Sequence, residues 1–127
     1  MKPESINTAN APAAIGPYSQ GIRAGQFLFI SGQLPLDPAT GQIVEGDIKK
    51  QTVLVLKNIQ AILQAARLDL DNVVKTTIFL KDIDNFAAVN EIYAGFFAPK
   101  LPARAVIQAA ALPKGADLEI EAVAWGS

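Results

Sequence analysis

The chain has 127 residues, of which 50% are apolar and 18% charged, with a formal net charge of −1. That length fits one domain, residues 1–127, able to bury about two-thirds of its unfolded surface. Neither cysteine nor histidine occurs, which excludes disulfides, thiol chemistry, Ser-His-Asp and Cys-His nucleophiles, and the usual zinc and transition-metal ligand sets.

The twelve acidic residues are scattered without calcium-loop spacing, so no metal site and no cofactor are expected. A pI near 5.3 argues against a nucleic-acid partner, which calls for a basic stripe. No run approaches the ~20 apolar residues of a membrane helix. The first five residues lack the apolar core of a signal peptide, so no membrane partner and a cytoplasmic location are expected. Catalysis, if any, is left to Arg, Glu, Asp, Lys, Tyr, Ser, backbone groups or water. The charged fraction is low against a typical ~25%, which points to apolar surface covered by further copies of the chain.

Residues 7–20 are punctuated by Pro12, Gly16 and Pro17 and show no periodicity. Segments 21–24 and 27–31 flank Gly25-Gln26, the pattern of a two-residue hairpin. Residues 37–41 open on Asp-Pro and close on Gly, as a turn does. Asp47 is a suitable N-cap for a helix to about Arg67, with Leu56, Ile59, Ile62, Leu63 and Ala66 as its buried stripe. A β-branched strand follows over residues 73–80. A second helix is expected over residues 86–97, capped by Asp84 and stopped by Pro99. Strands over residues 104–110 and 118–125 complete the order β-β-α-β-α-β-β. That order suits an α+β fold: one mixed sheet with two helices packed on one face.

Arg104 is the single charge in Leu101-Pro102-Ala103-Arg104-Ala105-Val106-Ile107. A guanidinium there reaches water, joins an internal salt bridge or meets an anionic ligand, because an unpartnered buried charge is costly. Its planar fork suits a small carboxylic acid. Four further groups could join it. Tyr18, in Gly16-Pro17-Tyr18-Ser19-Gln20, is either a packed ring or a phenol aimed by its turn at a carboxylate or carbonyl. Ser31-Gly32-Gln33 is either a plain strand end or a place where a ligand approaches the Gly32 backbone closely. Glu119 and Glu121 share one strand face with Val123 and Trp125. Either carboxylate could orient a water or act as a general base; a solvated face is the plainer reading. If the last two strands form an antiparallel hairpin across residues 111–117, Arg104 lies near Ala124. Glu119 is then on the order of 17 Å away at ~3.4 Å per residue. A site using both then needs two subunits.

Taken together and in order, several segments resemble the RidA/YjgF family of reactive intermediate deaminases. They are Ala11-Pro12-Ala13-Ala14-Ile15-Gly16-Pro17-Tyr18-Ser19-Gln20, Ser31-Gly32-Gln33, the runs 74–82 and 86–93, Pro102-Ala103-Arg104, and Leu118-Glu119-Ile120-Glu121-Ala122. The resemblance implies a chorismate-mutase-like fold. It also implies a homotrimer whose sheets form a central barrel, with clefts at the subunit interfaces. The implied reaction is hydrolysis of enamine or imine intermediates such as 2-aminoacrylate to 2-keto acids and ammonia. Arg104 would grip the substrate carboxylate. Tyr18, Ser31 and the Gly32 backbone would complete the pocket, and Glu119 would hold the attacking water. Some relatives carry a cysteine where Val106 stands, so a thiol role cannot carry over. Two other readings compete with the enzyme: a binding protein that senses small carboxylates such as 2-ketobutyrate without turnover, and, from the resemblance, a ribonuclease, translation-inhibitor or chaperone-like role.

Overall fold

The computed structural model describes residues 2–127. The hairpin expected at Gly25-Gln26 is present. Strands β2 (Gly21–Ala24) and β3 (Phe27–Gln33) run antiparallel with Ala24 opposite Phe27. Gly25 has φ 61°, the left-handed conformation that the first position of such a turn requires. A short strand that the sequence pattern did not reveal, β1 (Glu4–Ile6), pairs antiparallel with β2. Three residues are too few for period-2 alternation to be visible.

Helix α1 (Ile48–Ala65) starts where expected, the Asp47 carboxylate accepting from the Lys50 N–H at 2.8 Å. It ends two residues short of the expected Arg67, which sits at φ 62° while the Leu68 N–H closes back onto the Leu63 carbonyl at 2.9 Å. Strand β4 (Val73–Leu80) and helix α2 (Phe86–Phe97) follow. Asp84 is not the N-cap of α2; Asn85 holds that position. Residues 83–85 form a separate 3-10 turn, in which the Asp82 carboxylate accepts from the Asp84 N–H. At the other end Ala98 is extended (ψ 144°), as a residue preceding proline prefers. Strand β5 (Ala103–Gln108) is two residues shorter at its end than expected, and β6 (Leu118–Trp125) has the expected bounds.

The six strands form one mixed sheet in the order β1-β2-β3-β6-β4-β5. β6 is antiparallel to both β3 and β4, and β4 is parallel to β5. The last two strands are therefore not a hairpin. Both edges of β6 are taken by β3 and β4, and α2 carries the chain back along the sheet so that β5 returns parallel to β4. Arg104 stands level with Thr76 of β4, and Thr76 in turn with Ala122 of β6. The expected pairing of Arg104 near Ala124 does not form, because β4 lies between β5 and β6.

The two helices cover one face of the sheet. Val55, Leu56, Ile59, Ile62 and Leu63 of α1 and Val89, Tyr93 and Phe97 of α2 pack on Leu28, Ile30, Ile78, Leu80, Leu118 and Ile120. Among the described residues, no helix is long and apolar enough to cross a membrane. The opposite face is bare. Phe27, Phe29, Ile107 and Trp125 stand exposed on it.

Candidate active site

One end of the bare face opens into a cleft of about 590 Å³ lined by Tyr18, Ser31, Gly32, Lys114, Glu119 and Glu121, with an apolar wall of Ile15, Leu34, Leu36 and Pro113. The structure thus brings together Tyr18, Ser31, Gly32, Glu119 and Glu121, five of the six candidate residues named from the sequence, and leaves out Arg104. Strand alternation explains the carboxylates. Leu118, Ile120, Ala122 and Ala124 are buried towards the helices, so Glu119 and Glu121 point the other way.

Glu119 is the more enclosed of the two. Desolvation first, and the neighbouring Glu121 charge second, raise its carboxyl above the ordinary carboxylate range. Gly32 makes room for it. A Cβ built at Gly32 would meet the Glu119 carboxylate, 2.8 Å from Cδ and 3.0 Å from Cγ. The register also shifts between Ile30 and Gln33, where β3 meets β6. Such an irregularity turns the backbone of residues 31–32 out of the regular ladder.

Tyr18 is 53% exposed, so its ring belongs to the cleft wall and not to the core. Its loop is held from below. The Ser31 hydroxyl donates to the Ser19 carbonyl at 2.6 Å, and the Ser31 N–H donates to the Gln20 carbonyl at 3.0 Å. With its proton given to Ser19, the hydroxyl offers the cleft lone pairs only. Gln20, almost fully buried, is a residue that the sequence reading passed over. Its amide oxygen accepts from the Thr8 N–H at 2.7 Å, and its amide nitrogen donates to the carbonyls of Thr8 at 3.0 Å and Pro12 at 2.8 Å. A polar side chain next to a Pro/Gly-rich stretch with no periodic partner for its backbone groups was the available signal.

Arg104 is elsewhere. It lies on the helix side of the sheet, level with Thr76 and leaning on α2. Its guanidinium carbon is 4.9 Å from the centre of the Tyr93 ring and 5.1 Å from that of Phe86, and Nη1 donates to the Asn90 Oδ1 at 2.8 Å. Phe86, Asn90 and Tyr93 fall at helical spacing on one side of α2. Among the described residues the one ion pair joins Lys49 to Glu91. Arg104 therefore stands beside a neutral amide and two rings. A separate hollow of about 370 Å³ opens beside it, between Asn90, Tyr93, Leu101 and Pro102. Within one chain, Arg104 and Glu119 emerge on opposite faces of the sheet.

The family model described as Endoribonuclease L-PSP matches residues 8–125. The chain belongs to that family, the RidA/YjgF or Rid family. A RutC family protein of Pyrococcus horikoshii is 56% identical over 122 residues, covering 96% of this chain and 97% of the relative. The human protein named 2-iminobutanoate/2-iminopropanoate deaminase is 53% identical over 119 residues, covering 94% of this chain and 87% of that one. Among solved structures, a Rid family protein of Yersinia pestis superposes with a TM-score of 0.95 at 51% identity, covering 98% of this chain and 100% of that one. The Rid match spans both the cleft and the Arg104 region.

Proposed function

We propose that this Rid protein hydrolyses reactive enamine and imine intermediates of the 2-aminoacrylate type to 2-keto acids and ammonia. The observation that carries the reading is the separation of opposite charges. Arg104 and the desolvated Glu119 emerge on opposite faces of one sheet, each without an oppositely charged partner among the described residues. A homotrimer resolves this arrangement. Its bare sheet faces form a chorismate-mutase-like barrel, and the Arg104 of one subunit reaches the Tyr18–Ser31–Gly32–Glu119 cleft of the next. Human deaminase, at 53% identity, supports the choice of reaction. One domain spanning residues 1–127 and a cytoplasmic location complete the reading.

The chemistry fits the residues available. The enamine first gains a proton at its terminal CH₂ from solvent and becomes the iminium ion. Arg104 binds the carboxylate through parallel N–H···O contacts, which fixes the imine carbon over Glu119. Glu119 takes a proton from water as the water oxygen bonds to that carbon. The carbinolamine nitrogen then takes that proton back from Glu119, the C–N bond breaks to release ammonia, and the hydroxyl gives its proton to the Glu119 carboxylate as the carbonyl forms. A raised carboxyl pKa suits a group that both accepts and returns a proton. Tyr18 steadies the developing oxygen, and the Gly32 N–H adds a donor. The lone pairs of Ser31 accept from the imine N–H. Glu119, desolvated against Gly32, fits the water contact better than exposed Glu121. The step is a hydrolysis and calls for no electron or group carrier. The family description as an endoribonuclease finds little support in a chain of net charge −1 without histidine.

The test is keto acid release from 2-aminoacrylate generated in situ. Arg104→Ala is expected to lose the acceleration while the assembly, measured by light scattering, persists. Normal rates in that variant would end the role given to Arg104. Ligand binding without any acceleration in the parent protein would instead favour a carboxylate sensor.

A further inference from the structure

Arg104 is held by more than one contact, and the contacts form a chain into the core. The Tyr93 hydroxyl and the Thr76 hydroxyl, both buried, are 2.7 Å apart. Thr76 lies level with Arg104 on the adjacent parallel strand. The Tyr93 ring packs on Phe97 with centroids 4.5 Å apart and meets the guanidinium at 4.9 Å. Tyr93 is thus fixed at its hydroxyl by β4 and along its ring by α2. Desolvation raises its phenol pKa, against the lowering effect of Thr76 and Arg104, so it remains a neutral ring of the kind that attracts a cation. One guanidinium N–H is given to Asn90. A ring contact consumes none, which leaves the remaining N–H groups for an anion.

We propose that Tyr93, anchored by Thr76, is a positioning residue: it holds the Arg104 guanidinium by its ring, so that the fork stands preformed for a carboxylate. The inference rests on the carboxylate-binding role given to Arg104 above, and it adds the device that supplies the pre-organisation. Without the ring, a long side chain on an edge strand samples many rotamers, and each binding event must first select one. The hydroxyl serves the fold and the ring serves Arg104, so the two contributions separate by substitution.

Two measurements on the full-length protein test this. In ¹H–¹⁵N spectra of the ligand-free protein, the Arg104 Nε–H resonance, assigned by its loss in Arg104→Lys, is expected to be shifted by the Tyr93 ring and to be unchanged in kind in Tyr93→Phe. In Tyr93→Leu it is expected to move to the position of a freely rotating arginine. In kinetics, Tyr93→Leu raises KM about five- to tenfold with kcat within about twofold, the scale of one lost cation–π contact in a ground-state binding group. Tyr93→Phe keeps KM and lowers the unfolding midpoint. If Tyr93→Leu does not fold, Phe86→Leu removes the other, partly exposed ring and is expected to raise KM in the same direction. An Arg104 resonance indistinguishable from free arginine in the parent protein overturns the proposal, as does an unchanged KM in Tyr93→Leu. A held resonance in a protein that binds no 2-oxobutanoate by calorimetry leaves the positioning intact and refutes the proposed function instead.

Discussion

Gly32→Ala isolates the geometry of the cleft from the stability of the fold. Gly32 is not among the residues with positive φ, so alanine takes the backbone without strain, and its narrower unfolded ensemble offsets part of any crowding. The new Cβ would stand 2.8 Å from Glu119 Cδ and 3.0 Å from Cγ, nearer than real Cβ contacts allow. The atoms that must yield are the far end of a flexible side chain, so the fold gives way cheaply and the carboxylate moves by roughly an ångström. A displacement of ~1 Å at the reacting centre costs about a hundredfold in rate, or about 2.7 kcal/mol at 1.36 kcal/mol per tenfold. The expected result is kcat down about a hundredfold with stability within about 1 kcal/mol of the parent in urea unfolding. Gly95→Ala is the control. Nothing lies within 4 Å of a Cβ there, and the exposed helical position should gain about 0.5–1 kcal/mol with activity unchanged. Activity within threefold of the parent in Gly32→Ala would refute the reasoning that Glu119 works from where Gly32 lets it lie. A collapsed unfolding midpoint would refute the claim that the displacement is local.

Glu119→Gln should unfold at higher urea than the parent above neutral pH and lose its catalysis. Its carboxyl is raised in the folded state, so its contribution to stability is full below the ordinary carboxylate pKa and is lost as pH rises through the folded value. Because the group is half-exposed, the difference is expected to be on the order of 0.5 kcal/mol, seen as a flatter stability–pH curve in the variant. Gln20→Ala removes a buried amide that ties down Thr8 and Pro12. It should cost about 2–4 kcal/mol and open residues 8–18 to limited proteolysis. Asp47→Ala removes the cap of α1 and should cost about 1 kcal/mol by urea unfolding, with KM and kcat unchanged because Asp47 lies outside the cleft.

Local patterns were legible and pairings across the sheet were not. Period-2 alternation in Leu118–Trp125 put Glu119 and Glu121 on the face where they stand, and Asp47 announced its helix by its capping chemistry. The error over β5 arose because a turn-like stretch at 111–117 suggested a hairpin. The strand–helix–strand run from β4 through α2 to β5, the usual signature of a parallel return, was the better guide. β1 was too short to leave a pattern. The cap of α2 was misplaced because three acidic or amide residues, Asp82, Asp84 and Asn85, compete there, and only the backbone decides between a 3-10 turn and a helix start. The cradle of Arg104 was hidden for a different reason. Phe86 and Tyr93 share the apolar spacing of Val89 and Phe97 along α2, and nothing in the chain says that a residue eleven positions beyond Tyr93 leans on it.

The placement of the two charged groups is the most constraining feature of the fold. A sheet that packs helices on one face must leave Glu119 on the other, because its neighbours Leu118 and Ile120 are core. It must also leave Arg104 with the helices, because Thr76 beside it is core. No side-chain rotation carries either group through the sheet. A monomer gains nothing from a desolvated carboxylate beside a second carboxylate, or from a cation facing two rings with no anion. In the proposed assembly both arrangements become useful, because the bare face carrying Phe27, Phe29, Ile107 and Trp125 is covered by another copy and the two charges meet across the boundary. The same residues then explain the low charge of the composition, the exposed aromatics and the split site. A variant confined to one subunit, such as Arg104→Ala mixed with Glu119→Gln, should regain part of the activity that each lacks alone, because some mixed interfaces join an intact Arg104 to an intact Glu119. No recovery on co-refolding would sink the shared-cleft reading.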